Sequence, residues 1–329
     1  MRKCVVVMMA MLNLAAASSA KTVIPVWPHL KVPPGLRKVK KEIQGSNGLV
    51  EIRPIRLPTL TEFPAPKKLR NGCAIVICPG GAYYLEAMAL EGYRVARRFN
   101  RAGISCYVLR YRLPDGKLPR SGVPWPLQDV RRAIQIVKSH AKAWHINRHD
   151  VGVMGFSAGG SVASLAGVHW IPANPQSPDP VDHYSSRPRF MVLGYPVISM
   201  IPGITHPGSH NNLLGQHPAL RTEQYFSSEL NVDALTPPAF IFYAHDDHAV
   251  SHANEKLFYA ALRRQRIPAK LVEFRHGGHG FGLGRPGTDS VKWPAMCIQW
   301  LRKMKFIPSS AELQLFRRSG HQWSRRIDG

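Results

Sequence analysis

Acidic residues are scarce in this chain. Its 329 residues include 20 Asp and Glu against 44 Lys and Arg, so the formal net charge is +24 at pH 7. A basic surface attracts polyanions such as nucleic acids, anionic lipids and acidic polysaccharides. The basic residues are scattered, however, apart from small clusters at 37–41 and 317–326. We therefore interpret the charge as a solvated basic surface and expect no nucleic-acid partner; attraction to an acidic cell-wall polymer is the second interpretation.

Long apolar runs and the common cofactor motifs are also missing. No apolar run reaches the roughly 18 residues that a membrane span needs, so we expect no membrane span. Neither a P-loop nor an H-E-x-x-H helix occurs, and the glycine-rich residues 277–282 lack the lysine and the helix of a phosphate loop. We predict no cofactor and no metal site.

Cysteine is rare as well, and its positions fit no zinc site. Beyond Cys4, the chain has Cys73, Cys78, Cys106 and Cys297, of which three lie in or beside apolar runs. Cysteines on buried strands are mostly small hydrophobic residues, even where export would permit a disulfide. We predict no disulfide.

The N-terminus has the three parts of a signal peptide. Arg2 and Lys3 are positive, residues 5–17 are apolar except for Asn13, and residues 18–20 are small. This order is typical of a secretory signal, here 1–20, cleaved after Ala20; a buried N-terminal helix is the alternative. We predict an exported protein, either periplasmic or extracellular.

The remaining chain predicts one α/β domain between an arm and a tail. Residues 21–66 are rich in proline and basic residues, which favours an arm with an antiparallel edge hairpin at 50–55 and 57–63. From 67 to 307 apolar strand patterns alternate with helical ones, which predicts a mostly parallel central sheet with helices on both faces. Residues 308–329 form a basic tail.

The patterns assign the elements of that domain as follows. Strands are predicted at 73–78, 104–109, 151–154, 190–193, 239–243 and 269–274. Helices are predicted at 85–102, 126–144, 157–168, 254–264 and 291–304. The stretches 171–188 and 198–236 are expected to be non-helical insertions that wall a substrate pocket.

A G-x-S-x-G pentapeptide, residues 155–159, follows a predicted strand and begins a predicted helix. A serine in this context lies on a strained strand-to-helix turn, which presents its hydroxyl at the C-terminal edge of the sheet. The helix N-terminus beside it favours developing negative charge. We predict that Ser157 is a nucleophile; a chance glycine-rich turn is the alternative.

A serine nucleophile needs a base and an acid, which in this kind of fold follow it in the order acid, then histidine. His279 lies between glycines just beyond the strand at 269–274, and His276 is its rival. Asp247 follows the strand at 239–243, with Val250 three residues later; Asp246 is the alternative, or it caps the turn through backbone N–H groups.

The segment that follows the first central strand predicts an oxyanion hole. Cys78 is followed by Pro-Gly-Gly, where esterases have a loop of the H-G-G-G type. We predict that the N–H groups of Gly80, Gly81 and Ala158 bind a tetrahedral oxyanion. Tyr83 and Tyr84 are then predicted to border the pocket, either stacking on a sugar or aryl group or merely packing.

With these motifs the sequence resembles the exported α/β-hydrolase esterases related to acetyl xylan esterases and bifunctional acetyl xylan/feruloyl esterases. The likeness extends from residue 24 to the final helix and includes 24–28, 78–81, 91–93, 109–114, 155–160, 211–215, 246–247 and 277–282. It implies the same triad and oxyanion loop. The chain departs from the family pattern at Ala82, Ser161, Tyr243 and Ser251.

The resemblance implies hydrolysis of a short acyl ester, with a small-molecule or polysaccharide ester as partner and acetylated xylan as the leading substrate. One alternative is an exopeptidase of the prolyl-oligopeptidase type, which shares the core and the triad order. The other is a non-catalytic carbohydrate-binding protein on a hydrolase scaffold. The sequence leaves the oligomeric state open.

Overall fold

Short apolar runs form the strands at the centre of the molecule, and eight of them pair in one sheet. The computed structural model describes residues 22–31, 42–45, 48–52, 55–309 and 312; the predicted signal peptide, 1–20, and nearly all of the predicted tail lie outside these residues. The strands are β1 Val23–Pro25, β2 Glu42–Gly45, β3 Gly48–Ile52, β4 Thr59–Phe63, β5 Ala74–Cys78, β6 Leu85–Glu86, β7 Ser105–Arg110, β8 Val151–Phe156, β9 Met191–Gly194, β10 Ala239–Ala244 and β11 Ala269–Phe274.

The helices mostly follow strands, as the alternating pattern predicts. They are α1 Arg94–Asn100, α2 Trp125–Ser139, α3 Ala158–Val168, α4 Pro207–Leu214, α5 Leu220–Tyr225, α6 Ala253–Arg264 and α7 Trp293–Lys303. A π-helical segment, Met88–Tyr93, leads into α1. Of the described helices, none is long and apolar enough to cross a membrane.

The large sheet has the order β1-β4-β7-β5-β8-β9-β10-β11. The pairs from β7 to β11 are parallel, whereas β4 is antiparallel to both of its neighbours, β1 and β7. Successive residues of a strand point to opposite faces. The predicted α/β-hydrolase fold, with a mostly parallel central sheet, is therefore confirmed.

Two apolar layers cover the two faces of this sheet. Side chains of α2, α3 and α6 pack on the face that Val76 and Cys78 share. Side chains of α1 and α7 pack on the other face, with Ile75 and Ile77. Because both faces are buried, β5 and β8 are apolar throughout. The helices thus lie on both faces, as predicted.

Three predictions about local structure were wrong. The two pieces of the predicted edge hairpin lie in different sheets, since β4 joins the large sheet and β3 pairs with β2 and β6 in a sheet of three strands. The predicted helix 85–102 begins late because Leu85 and Glu86 pair with β3. The two predicted insertions are not free of helix: 198–236 contains α4, α5 and a short 3-10 helix, and 171–188 contains a 3-10 helix at Pro180–His183.

The N-terminal arm is attached to α2 through Trp27. Its indole Nε1–H donates to Asp129 Oδ1 at 2.7 Å, and the guanidinium of Arg132 lies 5.1 Å from the ring centroid. Asp129 is buried and also accepts hydrogen bonds from Arg112. A buried charge is tolerated when it is paired in this way.

The strand order also determines where the predicted site residues lie. Cys78 is paired with Gly155, so the segments that leave β5 and β8 start side by side. Ala244 is paired with Phe274, so the segments that leave β10 and β11 do the same. Parallel strands end at one edge of the sheet, and loops from these four strands converge there.

Candidate active site

Ser157 lies in the tight turn between β8 and α3. Its backbone has φ 52° and ψ −124°, a strained conformation for a residue other than glycine. A Cβ at Gly155 would lie 2.0 Å from the carbonyl oxygen of Gly159, and one at Gly159 would lie 2.1 Å from that of Cys78. The two glycines of the motif are therefore required by close backbone approach. Ser157 itself is 8% exposed.

The structure brings Ser157, His279 and Asp247 into one line of hydrogen bonds. His279 Nε2 lies 2.8 Å from Ser157 Oγ, and His279 Nδ1 lies 2.7 Å from Asp247 Oδ2. A carboxylate can only accept a hydrogen bond, so Nδ1 has the proton and Nε2 is an acceptor for the serine hydroxyl. This tautomer is the one that a general base for Ser157 requires.

Asp247 is buried, and its carboxylate is stabilised from two sides. Oδ2 faces His279, and Oδ1 accepts N–H hydrogen bonds from Ala249 at 2.9 Å and Val250 at 3.1 Å. Burial by itself raises the pKa of Asp247, but the hydrogen bond and charge of His279, with the two N–H groups, outweigh burial and lower it. The side chain is therefore ionised at neutral pH.

The two rival residues lie apart from Ser157. Asp246 Oδ1 accepts the N–H groups of Gly277 at 2.9 Å and Gly278 at 2.7 Å, so it stabilises the segment that contains His279. His276 is 71% exposed, and its Nδ1 lies 3.6 Å from Asp246 Oδ2. We name residues 276–284 the histidine loop. The alternative interpretation of Asp246, capping of its own turn, was wrong: it binds N–H groups of the histidine loop, and Asp247 Oδ1 caps the turn after β10.

The segment after β5, residues 79–84, is named the oxyanion loop, and here the structure corrects one predicted donor. The N–H of Gly80 donates to Glu91 Oε2 at 2.7 Å, so this donor is already used inside the protein. Among the described residues no acceptor faces the N–H groups of Gly81, Ala82 or Ala158. Gly81 and Ala158 stay candidate donors, and Ala82 takes the place predicted for Gly80.

The oxyanion loop has an unusual backbone. Gly81, Ala82 and Tyr83 have φ values of 133°, 53° and 59°. The carbonyl oxygen of Ala82 accepts a hydrogen bond from Asn212 Nδ2 at 2.9 Å, which joins the loop to α4. The insertion 198–236 therefore contacts the loop, and residues 211–215 of the family resemblance have a structural role.

The two tyrosines predicted to border the pocket differ. Tyr83 is fully buried, and its ring packs edge-on against Tyr111 with the centroids 6.3 Å apart. Of its two predicted roles, stacking on substrate was wrong and packing is the one that the structure shows. Tyr84 is 52% exposed and stays a predicted pocket residue.

Sequence reasoning missed three residues near the site. Glu91 and Tyr195 are buried and bond to each other, with 2.8 Å between Tyr195 Oη and Glu91 Oε1. A carboxylate within an otherwise apolar helix pattern was the available signal for Glu91. His206 begins α4, and its Nδ1 accepts the Ser209 N–H at 3.2 Å. Burial, followed by the charge of His279, lowers the pKa of His206.

The domain also contains four cysteines. Cys73, Cys78, Cys106 and Cys297 are buried free thiols. In the described part of the chain, no group of three or more His, Cys, Asp and Glu side chains is arranged to hold a metal ion.

The chain is similar to known enzymes that act on xylan and its esters. The BD-FAE family model matches residues 63–262. The chain is 38% identical over 219 residues to an acetylxylan esterase of Xylanibacter ruminicola, covering 65% of this chain and 42% of that protein. It is 34% identical over 224 residues to endo-1,4-beta-xylanase B of Butyrivibrio fibrisolvens, covering 68% of this chain and 34% of that one. The chain thus spans less than half the length of either relative.

A solved structure is similar over almost its whole length. It is an acetyl ester-xyloside bifunctional hydrolase from Caldicellulosiruptor lactoaceticus, with 33% sequence identity and a TM-score of 0.75. The match covers 87% of this chain and 97% of that one. With the family model matching most of the sheet, the chain belongs to the BD-FAE family of α/β-hydrolases.

Proposed function

We propose that this protein is a secreted carboxylic ester hydrolase that removes short acyl groups, above all acetyl, from a polysaccharide such as xylan. The observation that supports it best is the unbroken line from Ser157 Oγ through His279 to Asp247, with hydrogen bonds of 2.8 and 2.7 Å. Such a line activates a serine for acyl transfer.

The first half of the proposed reaction forms an acyl-enzyme. Ser157 Oγ attacks the ester carbonyl carbon while its proton passes to His279 Nε2. Asp247 stabilises the imidazolium that forms and keeps its own charge. The N–H groups of Gly81, Ala82 and Ala158 donate to the oxyanion, and the start of α3 adds the positive end of a helix dipole. Collapse of this intermediate breaks the bond to the alcohol oxygen, which takes the proton from His279.

The second half repeats these steps with water. His279 removes a proton from the water, the hydroxide attacks the acyl carbon, and the Ser157 oxygen leaves with the proton from His279. A free acid and the original serine result. No step needs a metal ion or a redox cofactor, because serine, imidazole and backbone N–H groups provide the nucleophile, the base and the electrostatic stabilisation.

The names of the relatives support the substrate class, since they include acetylxylan esterase and acetyl ester-xyloside hydrolase. Tyr84, the last residue of the oxyanion loop, is 52% exposed and offers an aromatic face for a sugar ring. Export is proposed on the basic, apolar and small-residue pattern of residues 1–20. A polymeric ester outside the cell fits both proposals.

The first test is hydrolysis of p-nitrophenyl acetate and butyrate by residues 21–329, beside the variants Ser157→Ala and Ser164→Ala. We expect turnover by the wild type and a loss of about 10⁴-fold in Ser157→Ala. Ser164 is a matched control, because it is a buried serine of α3, the helix that follows Ser157, and its hydroxyl bonds to Ser228. Ser164→Ala is expected to retain most of the activity.

Further substrates separate the alternatives. Acetate release from acetylated xylan would support the polysaccharide ester. Faster hydrolysis of aminoacyl p-nitroanilides than of esters would favour the exopeptidase. Polysaccharide binding that survives Ser157→Ala, together with an inert wild type, would favour the binding protein. Export is tested by N-terminal sequencing of the protein secreted by a Gram-negative host, with cleavage after Ala20 as the expected result.

A further inference from the structure

A buried chain of hydrogen bonds joins the oxyanion loop to the histidine loop. The Gly80 N–H donates to Glu91 Oε2 at 2.7 Å, and the Tyr195 hydroxyl donates to Glu91 Oε1 at 2.8 Å. The Gly282 N–H in turn donates to the Tyr195 hydroxyl at 3.0 Å. Each end is a backbone group of one loop, and the two side chains between them lie outside both loops.

Glu91 and Tyr195, the two side chains that carry this series of hydrogen bonds, are buried in an apolar environment. Glu91 is 3% exposed and Tyr195 is inaccessible to solvent. Burial raises the pKa of Glu91, while the hydrogen bonds from Tyr195 and Gly80 and the charge of His279 oppose the rise. A buried carboxyl costs stability that an apolar residue of the same size would not cost. The placement therefore calls for a role beyond packing.

The series of hydrogen bonds lies close to Ser157 at the Gly80 end and close to His279 at Tyr195. A Cβ at Gly80 would lie 2.8 Å from Ser157 Cβ, so the backbone of Gly80 touches the nucleophile turn. The Tyr195 ring packs edge-on against the imidazole of His279, with 5.0 Å between centroids, and against Phe281 at 4.6 Å. Tyr195 has a φ of 36°, an uncommon conformation for a tyrosine. The side chain is therefore held between the base and Glu91.

Glu91 also takes up one N–H group of the oxyanion loop. Because its carboxyl takes the Gly80 N–H, the peptide of Gly80 is turned away, and the next N–H groups, of Gly81 and Ala82, have no acceptor in the described chain. Oxyanion donors act well only when they point at the developing charge before the reaction starts. A small rotation at Gly80 would change the direction of both.

We propose that Glu91 and Tyr195 are positioning residues that couple the two loops, so that the oxyanion donors and the base are aligned together. The proposal rests on the proposed esterase function. Neither side chain touches the reacting atoms; Glu91 acts through the Gly80 peptide, and Tyr195 acts through Gly282 and the His279 ring. Loss of either side-chain contact misaligns both loops.

The test compares Tyr195→Phe, Glu91→Gln and the double variant in steady-state hydrolysis of p-nitrophenyl acetate. Tyr195→Phe keeps the ring against His279 and removes only the hydroxyl. We expect each single variant to lower kcat about tenfold with KM within about twofold, because the contact aligns groups that act in the transition state. The double variant is expected to be no slower than the slower single variant, because the residues act as one unit.

Tyr107→Phe is the matched control. Tyr107 is a fully buried tyrosine of β7, and none of the described residues bonds to its hydroxyl. Its ring stacks on Trp144, with 4.9 Å between centroids. We expect kcat within about twofold of wild type in this variant, since only an unpaired hydroxyl is removed. A tenfold loss in Tyr107→Phe as well would overturn the assignment, because any change to the core would then slow the enzyme.

Amide hydrogen exchange measures the coupling between the two loops independently of catalysis. Glu91→Gln alters the oxyanion-loop side, and we expect faster exchange in peptides covering 276–284 as well as 79–84. Faster exchange in 79–84 alone, or rate losses that multiply in the double variant, would overturn the coupling. An inert wild type would refute the proposed function and leave the exchange result to decide the coupling by itself.

Discussion

The two loops that meet at Ser157 are stabilised in different ways. The start of the histidine loop is anchored by carboxylates near the surface, since Asp246 accepts the N–H groups of Gly277 and Gly278 and Asp289 accepts that of His276. Farther along this loop, the Gly282 N–H donates to the buried Tyr195 hydroxyl. The oxyanion loop is anchored by the buried Glu91 and by Asn212.

The space beside Gly280 differs from that beside Gly80, although Gly282 and Gly284 of the histidine loop are crowded as well, with a Cβ there 2.8 and 2.4 Å from its nearest atom. A Cβ at Gly280 would meet no atom within 4 Å, whereas one at Gly80 would lie 2.6 to 2.8 Å from three atoms. The difference follows from chemistry. Backbone dipoles that bind an oxyanion must be fixed in advance.

The largest expected effect concerns the two aspartates that bind the histidine loop: Asp247, which bonds the His279 side chain, and Asp246, which bonds the loop backbone. Asp247→Asn is expected to lower kcat by about 10³–10⁴-fold, because the amide no longer selects the tautomer with the proton on Nδ1. The neighbouring Asp246→Asn changes contacts to two backbone N–H groups and to the exposed His276, and is expected to lower kcat by less than about tenfold. Steady-state kinetics on p-nitrophenyl acetate measures both. Equal losses would contradict the assignment of Asp247 over Asp246.

A pair of glycine substitutions compares the loops directly. Gly80→Ala is expected to lower kcat/KM by about 100-fold or more, because the new methyl group meets Phe156, Ser157 and Glu91 and displaces the oxyanion donors. Gly280→Ala only strains a residue at φ 69°, and is expected to cost about 1 kcal/mol of stability while retaining most of the activity. A Gly80→Ala enzyme as active as Gly280→Ala would show that the oxyanion loop tolerates displacement.

Acid is expected to affect the two loops in opposite directions, because the pKa of the anchoring carboxyl is lowered in one loop and raised in the other. The hydrogen bond from the Gly278 N–H, followed by that from Gly277 and the charge of His276, lowers the pKa of Asp246. The stabilisation that Asp246 gives to the folded protein is therefore full above its unfolded pKa of about 3.9 and is lost as pH falls through its folded pKa. Burial raises the pKa of Glu91, so its contribution is greatest in acid and is lost as pH rises through the folded value.

Hydrogen exchange, corrected for its intrinsic pH dependence, tests that difference. We expect residues 276–284 to lose protection below a pH of about 4 before residues 79–84 do. In Asp246→Asn the histidine loop is expected to be less protected at pH 6 and less sensitive to acid. Simultaneous loss of protection in both loops of the wild type would show that global unfolding, and not the anchoring carboxylates, sets the response.

The smallest expected effect lies in the oxyanion loop. Ala82 has a φ of 53°, where a glycine is free of the steric cost that a Cβ brings. Ala82→Gly is expected to raise stability by about 0.5 kcal/mol, because relief of this strain exceeds the entropy that glycine loses on folding. Thermal unfolding measures the change, with Gly280→Ala as the opposite substitution. A lower Tm in Ala82→Gly would mean that the loop has no strain at this residue.

Much of the fold and site could be predicted because the signals were local. Apolar runs such as 151–154 and 239–243 reflect strands buried on both faces, and the spacing around Ser157 reflects a single turn. Chain order selected Asp247 and His279, which the structure brings to Ser157; their catalytic roles stay predictions. The prediction of an edge hairpin at 50–63 was wrong because proximity along the chain does not decide which sheet a strand joins.

The sequence by itself determined the α/β alternation, the serine turn and the order of acid and histidine, because each depends on neighbouring residues. Only the tertiary structure decided that Gly80 donates to Glu91, that Tyr83 points into the core, and that Tyr195 joins two loops. The bond between Tyr195 and Glu91 spans 104 residues of the chain. Such contacts arise when the order of the strands brings distant loops to one edge of the sheet, and no local pattern of residues encodes that order.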